Sequence, residues 1–129
     1  MASDTPESAL RAYIHVLEAL DVETALPFYY VPSMFIAPQG VFAAPDVGTL
    51  RTLLAQFIEQ QRTQSYRRTD ISNLSCRMIP RGLASCSGVF VRYNAGGEEF
   101  ARVGFTYTMR EENGSWKIVV AAVHEPVAA

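Results

Sequence analysis

The sequence has few of the residues that carry most metal and nucleophilic chemistry. Its 129 residues include two cysteines, two histidines and one tryptophan. No cysteine and histidine cluster has the spacing of a metal site, and no glycine-rich loop follows a strand and opens a helix, as phosphate binding requires. Ser85, Ser87 and Ser115 have no histidine in a register that would complete a hydrolase triad. We therefore expect no metal and no cofactor.

Strong positive charge and long apolar runs are also missing. The net charge is −2, the pI is about 5.6, and Arg67-Arg68 is the longest basic run, so we expect no nucleic-acid partner. No apolar run approaches the roughly 20 residues that span a bilayer, and the start Met1–Asp4 lacks the features of a signal peptide. These observations predict a cytoplasmic protein, with residues 1–129 forming one domain that does not contact membranes.

What the sequence does contain is a run of four strands between Tyr66 and Glu125, divided by three turns. Asn113-Gly114 is the strongest hairpin signal because both residues tolerate a positive φ. Asn94–Gly97 marks a second turn, and Pro80-Arg81-Gly82 suits a three-residue loop with Gly82 in the left-handed conformation. The sequence therefore predicts an antiparallel sheet.

Strict alternation of side chains along these strands predicts two faces. One face is nearly all apolar and ends in a polar group of Asp70, Arg92, Glu99 and His124, with Asp70 and Glu99 both opposite Arg92. The other face is mixed, and its apolar stripe is too large for an ordinary solvated surface. We expect the apolar face to pack against helices and the outer face to form a homodimer.

The same register places Cys76 opposite Cys86. A disulfide between them is conceivable. In a cytoplasmic protein, two small buried thiols are the favoured interpretation.

The first half of the chain predicts three helices. Thr5 caps the first, and Asp46 or Gly48 begins the third. Asp21 caps a second that runs to about Tyr30 and is closed by Pro32, and Pro27 should kink this helix or end it early. Between the second and third helices, Ser33–Pro38 and Val41–Ala44 favour short strands. His15 falls on the polar side of the first helix and is expected to be exposed. The order is that of an α+β fold with three N-terminal helices on one face of a curved, mostly antiparallel sheet.

This order resembles the nuclear transport factor 2-like superfamily, whose members have a cystatin-like cone fold. The most specific pieces are the first helix leading into Asp21-Val22-Glu23, the segment Phe35–Gly40 and the ending Asn113–Ile118. The superfamily includes ketosteroid isomerases, scytalone dehydratase, limonene epoxide hydrolase and SnoaL-like polyketide cyclases. The resemblance implies an apolar pocket between the sheet and the helices, and a dimer through the other sheet face.

The ketosteroid isomerases allow a test position by position. Their oxyanion-hole tyrosine matches Tyr13, their general-base aspartate matches Ala37, and their second oxyanion donor falls on or near Phe105. Alanine cannot take a proton and phenylalanine cannot donate a hydrogen bond. The resemblance therefore does not imply isomerase chemistry by that mechanism.

Two functional interpretations remain open at this point. In the first, the chain binds a small hydrophobic or aromatic ligand and catalyses a proton transfer, as in cyclisation, isomerisation or dehydration, with Tyr13 orienting a ligand oxygen and His124 moving the proton with Asp70. In the second, it is a non-catalytic binding or dimerisation module, Tyr13 is a core residue and the polar group is a salt-bridged rim. The residues expected to line the ligand site are Leu17, Phe35, Ala37, Leu54, Phe57, Phe90, Arg92, Val103, Phe105, Tyr107, Trp116 and Val120.

Overall fold

Three helices and six strands make up residues 5–127, the part of the chain that this computed structural model describes. The helices cover the concave face of a strongly curled half-barrel sheet. In chain order the elements are α1 Pro6–Leu17, α2 Val22–Ala25, a 3-10 turn Leu26–Phe28, β1 Tyr29–Ala37, β2 Gly40–Ala44, α3 Val47–Thr63, β3 Tyr66–Ile79, β4 Leu83–Asn94, β5 Glu99–Glu112 and β6 Ser115–His124. The predicted α+β class and cystatin-like cone are confirmed. None of the described helices is long and apolar enough to cross a membrane.

The long helices begin where the sequence predicts, because side chains satisfy their free N–H groups. The Thr5 hydroxyl accepts from the Ser8 amide at 3.0 Å, and the Asp46 Oδ1 atom accepts from the Thr49 amide at 2.7 Å. His15 lies on the outside of α1 with its side chain 84% exposed. The residues that α1 buries are Pro6, Ala9, Leu10, Tyr13, Ile14 and Leu17.

The second helix is shorter than predicted. It ends at Ala25 and tightens into the 3-10 turn that contains Pro27, consistent with a proline that offers no N–H for a further helical turn. Tyr29 therefore begins β1 rather than extending a helix, and Pro32 lies inside that strand instead of closing the helix. This correction matters for the site, because it turns the Tyr29 side chain into the core.

The sheet has the order β2-β1-β6-β5-β4-β3. Every neighbouring pair is antiparallel except β1 and β6, which run parallel. The three predicted hairpin turns are present, with φ of +66° at Gly82, +82° at Gly97 and +81° at Gly114. Turn chemistry was therefore a dependable guide to where the strands end.

The predicted facing of the strands is wrong in part, because β-bulges interrupt the alternation, and those in the middle of β3, in β5 and in β6 affect the residues assigned to the site. In β3, Asn73 and Leu74 lie between the pairs Ser72–Val89 and Ser75–Ser87, where β4 has one residue. One extra residue turns the preceding part of the strand over. Asp70 consequently pairs with Val91 instead of Arg92 and lies on the outer face, where Thr69 was expected.

A second bulge lies in β5. Arg92 pairs with Ala101, and Tyr93 pairs with Glu99, so that Phe100 is the extra residue. Glu99 therefore also lies on the outer face and not beside Arg92. Both carboxylates that the sequence had assigned to Arg92 are on the opposite side of the sheet.

The third bulge, at Val119 in β6, reverses the end of the chain. Ile118 pairs with Met109, but Val120 pairs with Thr108. Ala121 and Val123 therefore face the helices, while Val120 and His124 face outward, contrary to prediction. The His124 Nε2 atom lies 2.9 Å from the Thr106 hydroxyl, and its Nδ1 atom lies 2.7 Å from the Glu125 carbonyl oxygen.

Cys76 and Cys86 are directly opposite each other, as the register predicted, with 4.0 Å between their Cα atoms. Their sulfur atoms are joined in a disulfide, so the favoured interpretation as two free thiols is wrong. Inference from the cellular compartment was a weaker guide here than the cross-strand geometry.

Candidate functional site: a cavity between the helices and the sheet

A cavity of about 670 Å³ lies between α1, α3 and the concave face of the sheet. Its wall is mostly aliphatic and aromatic, and it includes the exposed residues Pro38 and Gln39 of the β1–β2 turn. Most residues that the sequence had assigned to a ligand site line this cavity. They are Tyr13, Leu17, Phe35, Ala37, Leu54, Phe57, Phe90, Arg92, Val103 and Tyr107.

Three residues assigned to the ligand site do not line it. Phe105 is fully buried and stacks on Phe90, with ring centroids 4.0 Å apart and an interplanar angle of 9°. Trp116 is buried in the core beyond the cavity. Val120 lies on the outer face because of the bulge at Val119. Phe105 therefore supports the cavity wall from behind.

Four tyrosines line the cavity. They are Tyr66, whose hydroxyl is hydrogen-bonded to Thr69, and the buried Tyr13, Tyr29 and Tyr107. The Tyr13 and Tyr29 hydroxyls are hydrogen-bonded to each other at 2.5 Å, and the rings meet edge to face at 5.3 Å. Tyr107 is also buried, and in residues 5–127 its hydroxyl has no hydrogen-bond partner. Sequence reasoning missed Tyr29 because it extended the second helix through it. The signal that could have found it is the alternation of β1. Tyr29, Phe35 and Ala37 are separated by even numbers of positions and therefore share one face of the strand.

Burial raises the pKa of the Tyr13, Tyr29 and Tyr107 phenols. The pKa of Tyr107 rises to about 12, because removal from water opposes ionisation more than the nearby Arg92 charge favours it. The pKa values of Tyr13 and Tyr29 are also raised, first by burial and then by the neighbouring phenols. These groups stay protonated at neutral pH, so they act as hydrogen-bond donors or acceptors and not as bases.

Arg92 is the cation of the cavity wall. It projects inward from β4 beside Thr69 and Ala101, and its guanidinium carbon lies 5.3 Å from the centre of the Phe57 ring. Such cation–π contacts contribute roughly 0.5–2 kcal/mol. Burial lowers the pKa of Arg92, and the neighbouring phenols partly offset this. An arginine nevertheless remains charged at neutral pH.

Gln61 is a second polar group of the cavity wall, and the sequence did not single it out. It lies near the end of α3 with 7% of its surface exposed. Its Oε1 atom is buried and has no hydrogen-bond partner among the described residues. A buried acceptor without a donor is costly and calls for an explanation. The sequence does not show that Gln61 is buried, because nothing distinguishes it from Gln60 and Gln64 near the same end of α3.

The lining lacks a carboxylate and an imidazole within residues 5–127. Asp70 lies outside with its Oδ2 atom 3.8 Å from the Arg68 guanidinium, and His124 is bonded to Thr106 on the same outer face. The three residues that the sequence assigned to catalysis are therefore not brought together. Tyr13 alone faces the cavity. What the arrangement offers chemically is an apolar wall, phenol hydroxyls, the Thr69 hydroxyl, glutamine amides and one guanidinium. The glutamines of the lining are Gln39, Gln56, Gln60 and Gln61.

A family profile described as NTF2-like protein (DUF6841) matches residues 5–126. The chain belongs to this NTF2-like family. The predicted superfamily membership is thereby confirmed. No curated protein matches the sequence.

Several solved structures share the fold of this NTF2-like protein. A protein of unknown function with a cystatin-like fold from Nostoc punctiforme is 16% identical, with a TM-score of 0.73 and coverage of 92% of this chain and 86% of that one. A proposed dehydratase of the NTF2-like family from Streptomyces avermitilis is 15% identical, with a TM-score of 0.73 and coverage of 97% and 100%. A proposed scytalone dehydratase from Novosphingobium aromaticivorans is 15% identical, with a TM-score of 0.69 and coverage of 95% and 91%. At these identities the likeness extends to the fold alone.

Proposed function

We propose that this NTF2-like protein binds a small, mainly apolar or aromatic molecule in the cavity between its helices and its sheet. The observation that carries the proposal is the cavity itself, about 670 Å³ in volume, with a largely apolar wall that includes several polar side chains. Ligand sites in proteins typically combine these two features. The Tyr13–Tyr29 pair is placed to hold a ligand oxygen.

Binding without acid–base catalysis is the function that we favour. A general base must be able to take a proton near neutral pH, and the lining contains phenols with raised pKa values and a guanidinium, which do not do so. A proton-transfer enzyme of the dehydratase or cyclase type is the second candidate. It is supported by the Tyr13–Tyr29 pair, which is suited to stabilise a developing oxyanion, and by the proposed dehydratases among proteins of the same fold.

The test uses a neutral fluorescent probe of suitable size, 2-naphthol, and two matched alanine substitutions. Ala37 lines the cavity in its half-buried part, whereas Ala55 lies on the exposed side of α3. Ala37→Phe should reduce the affinity for 2-naphthol by about tenfold or more, because the new ring occupies the volume that the probe needs. Ala55→Phe should leave it unchanged within about twofold.

Two outcomes would contradict the proposal that the ligand binds in this cavity. If wild-type protein does not bind 2-naphthol, or if both substitutions change binding equally, the probe does not enter this cavity. Native mass spectrometry of freshly purified protein supplies an independent measurement, and a retained small molecule that Ala37→Phe excludes would support the proposal. The catalytic alternative predicts turnover of a hydroxylated substrate, which Tyr13→Phe would reduce.

We also propose that two copies of the chain associate through the outer face of the sheet. Met34, Ile36 and Val41 are large apolar side chains there, exposed by 38%, 36% and 61%. Met34 lies beside Val120, so the apolar stripe continues from β1 onto β6. Charged pairs border this stripe: Asp70–Arg68 on β3 and Glu99–Arg102 on β5 lie farther along the sheet, and Lys117–Glu112 joins the start of β6 to β5. An uncharged stripe bordered by charges is the pattern of a two-fold interface.

A further inference from the structure

We propose that the ligand of this cavity is an organic monoanion whose carboxylate is bound by Arg92. The inference rests on the proposed function, since it specifies the chemical class of the ligand in the same cavity. It follows from how Arg92 is placed and from what its possible partners do.

Arg92 is held in place on its apolar side. Its guanidinium carbon lies 5.3 Å from the ring centre of Phe57 and 5.8 Å from that of Phe90. Stacking on aromatic rings orients a guanidinium and leaves the N–H groups at its edge free to bond in its own plane. The flat edge of a guanidinium is the natural partner of a flat carboxylate.

The carboxylates nearest to Arg92 in the strand register are engaged elsewhere. Glu99 is paired with Arg102, with 2.8 Å between Oε1 and Nη2. Asp70 is paired with Arg68 at 3.8 Å. Within residues 5–127, Arg92 takes part in no ion pair and its guanidinium donates no hydrogen bond to protein. A partly buried cation without a counter-ion is unfavourable, and an anionic ligand would remove that cost.

Gln61 supports a ligand with a polar end. It lines the same cavity with only 7% of its surface exposed, and its Oε1 atom has no partner. Because this amide oxygen only accepts hydrogen bonds, it requires an O–H or N–H group on the ligand body, and Arg92 alone binds the carboxylate. Lysine is missing from the lining and Arg92 is its one guanidinium, as far as the described residues go. That charge matches a monocarboxylate better than a dianionic phosphate, and the apolar wall matches an aromatic or alicyclic body.

The experiment compares 2-naphthoate with 2-naphthol, which have the same ring system and differ in charge at neutral pH. Binding of both probes is measured by fluorescence or calorimetry for wild type, Arg92→Gln and Arg77→Gln. Arg77 is an exposed arginine on the outer face of β3 and serves as the control. Thermal unfolding and circular dichroism establish that each variant is folded, and Arg92→Lys provides a second variant that keeps the positive charge.

We expect wild type to bind 2-naphthoate about tenfold or more tightly than 2-naphthol. Arg92→Gln should weaken 2-naphthoate binding by about tenfold, which corresponds to about 1.4 kcal/mol, while 2-naphthol binding changes by less than about twofold. Arg92→Lys should recover part of the loss, because it keeps the charge without the planar edge. Arg77→Gln should behave as wild type.

The possible negative results contradict different claims. If wild type binds both probes equally well, or if Arg92→Gln weakens both equally, the assignment of an anionic ligand is wrong and cavity binding stands. If wild type binds neither probe, the proposed function is wrong and this inference with it. If Arg77→Gln lowers 2-naphthoate affinity as much as Arg92→Gln does, the effect comes from net charge and the role of Arg92 is refuted.

Discussion

Arg102 holds Glu99 at two points on the outer face of the sheet, with 2.8 Å from Nη2 to Oε1 and 3.1 Å from Nε to Oε2. The pair lowers the pKa of the Glu99 carboxyl, chiefly through the hydrogen bonds from the arginine. Regular alternation along β5 would have given Glu99 to Arg92 instead. The bulge at Phe100 therefore decides which of two arginines has an internal counter-ion and which faces the cavity without one.

The Tyr13–Tyr29 hydrogen bond should contribute measurably to stability. Tyr13→Phe leaves the buried Tyr29 hydroxyl without its partner, and we expect the free energy of unfolding to fall by about 1–2 kcal/mol. Urea denaturation monitored by circular dichroism measures this. The matched control is Tyr30→Phe, which removes an exposed hydroxyl that accepts from Arg110 at 2.8 Å and should cost less than about 0.5 kcal/mol. Equal losses in the two variants would show that the buried hydrogen bond contributes no more to the free energy of unfolding than the exposed one does.

The buried phenols predict how stability depends on alkaline pH. In the unfolded chain a tyrosine ionises near pH 10, whereas Tyr107 in the folded chain has a pKa of about 12. Between these values the unfolded state has lost a proton that the folded state keeps, so ionisation favours unfolding. Stability should be insensitive to these groups below pH 10 and should fall as the pH rises toward 12.

The slope of stability against pH shows how many buried tyrosines cause the loss of stability. Each such tyrosine should contribute about 1.4 kcal/mol per pH unit within the window, and the raised pKa values of Tyr13 and Tyr29 steepen the total. Chemical denaturation at pH values from 8 to 11.5 measures the slope, and Tyr107→Phe should make it shallower. An unchanged slope in that variant would mean that Tyr107 ionises as freely in the folded protein as in the unfolded chain.

Gly88 is required by the stacked aromatic rings. A Cβ atom at this position would lie 2.9 Å from the Phe105 ring and 2.9 Å from the Ser72 carbonyl oxygen. Gly88→Ala should therefore destabilise the protein by about 1–3 kcal/mol through overpacking. Gly48→Ala is the control, because its Cβ would meet nothing closer than the Asp46 Oδ1 atom at 3.5 Å and alanine is the better helix former. A thermal melt in which Gly88→Ala matches wild type would show that the rings separate without cost.

The proposed dimer predicts the effect of a charge on the outer face. Wild type should sediment as a dimer at micromolar concentration, and Met34→Lys should raise the dissociation constant by about tenfold or more, because it buries an unpaired cation in the interface. Ala55→Lys, on the exposed side of α3, should leave the dimer intact. Wild-type protein that remains monomeric at high concentration would refute this interface.

Local chemistry in the sequence predicted the ends of the elements well. Caps at Thr5 and Asp46 and turns at Gly82 and Gly114 depend on residues close in sequence, so their patterns are legible. Strand β4 has no extra residue of its own up to Arg92, and the predicted inward facing of Phe90 and Arg92 agrees with the structure. The prediction failed where it extended the alternation along whole strands. One extra residue at Asn73, Phe100 or Val119 reverses the face to which every residue on one side of the bulge points. Such a residue leaves no clear mark in the composition of the strand.

The same failure explains what could and could not be predicted of the site. The apolar wall could be predicted, since it depends on stripes along α1 and α3 and on short stretches of strand. The placement of charged groups could not, because Asp70, Glu99 and His124 all lie beyond a bulge. Gln61 became visible only once the packing of α3 was known, whereas Tyr29 could have been found from the alternation of β1.

The bulge at Val119 gives the end of β6 two possible sets of inward residues. In the present pairing Ala121 and Val123 complete the cavity, and its wall, as far as residues 5–127 go, carries no carboxylate and no imidazole. Sliding the strand end by one position, with every side chain unchanged, would present Val120 and His124 in their place and supply an imidazole. Within this fold, the pairing of one strand end therefore decides whether an imidazole reaches the cavity wall.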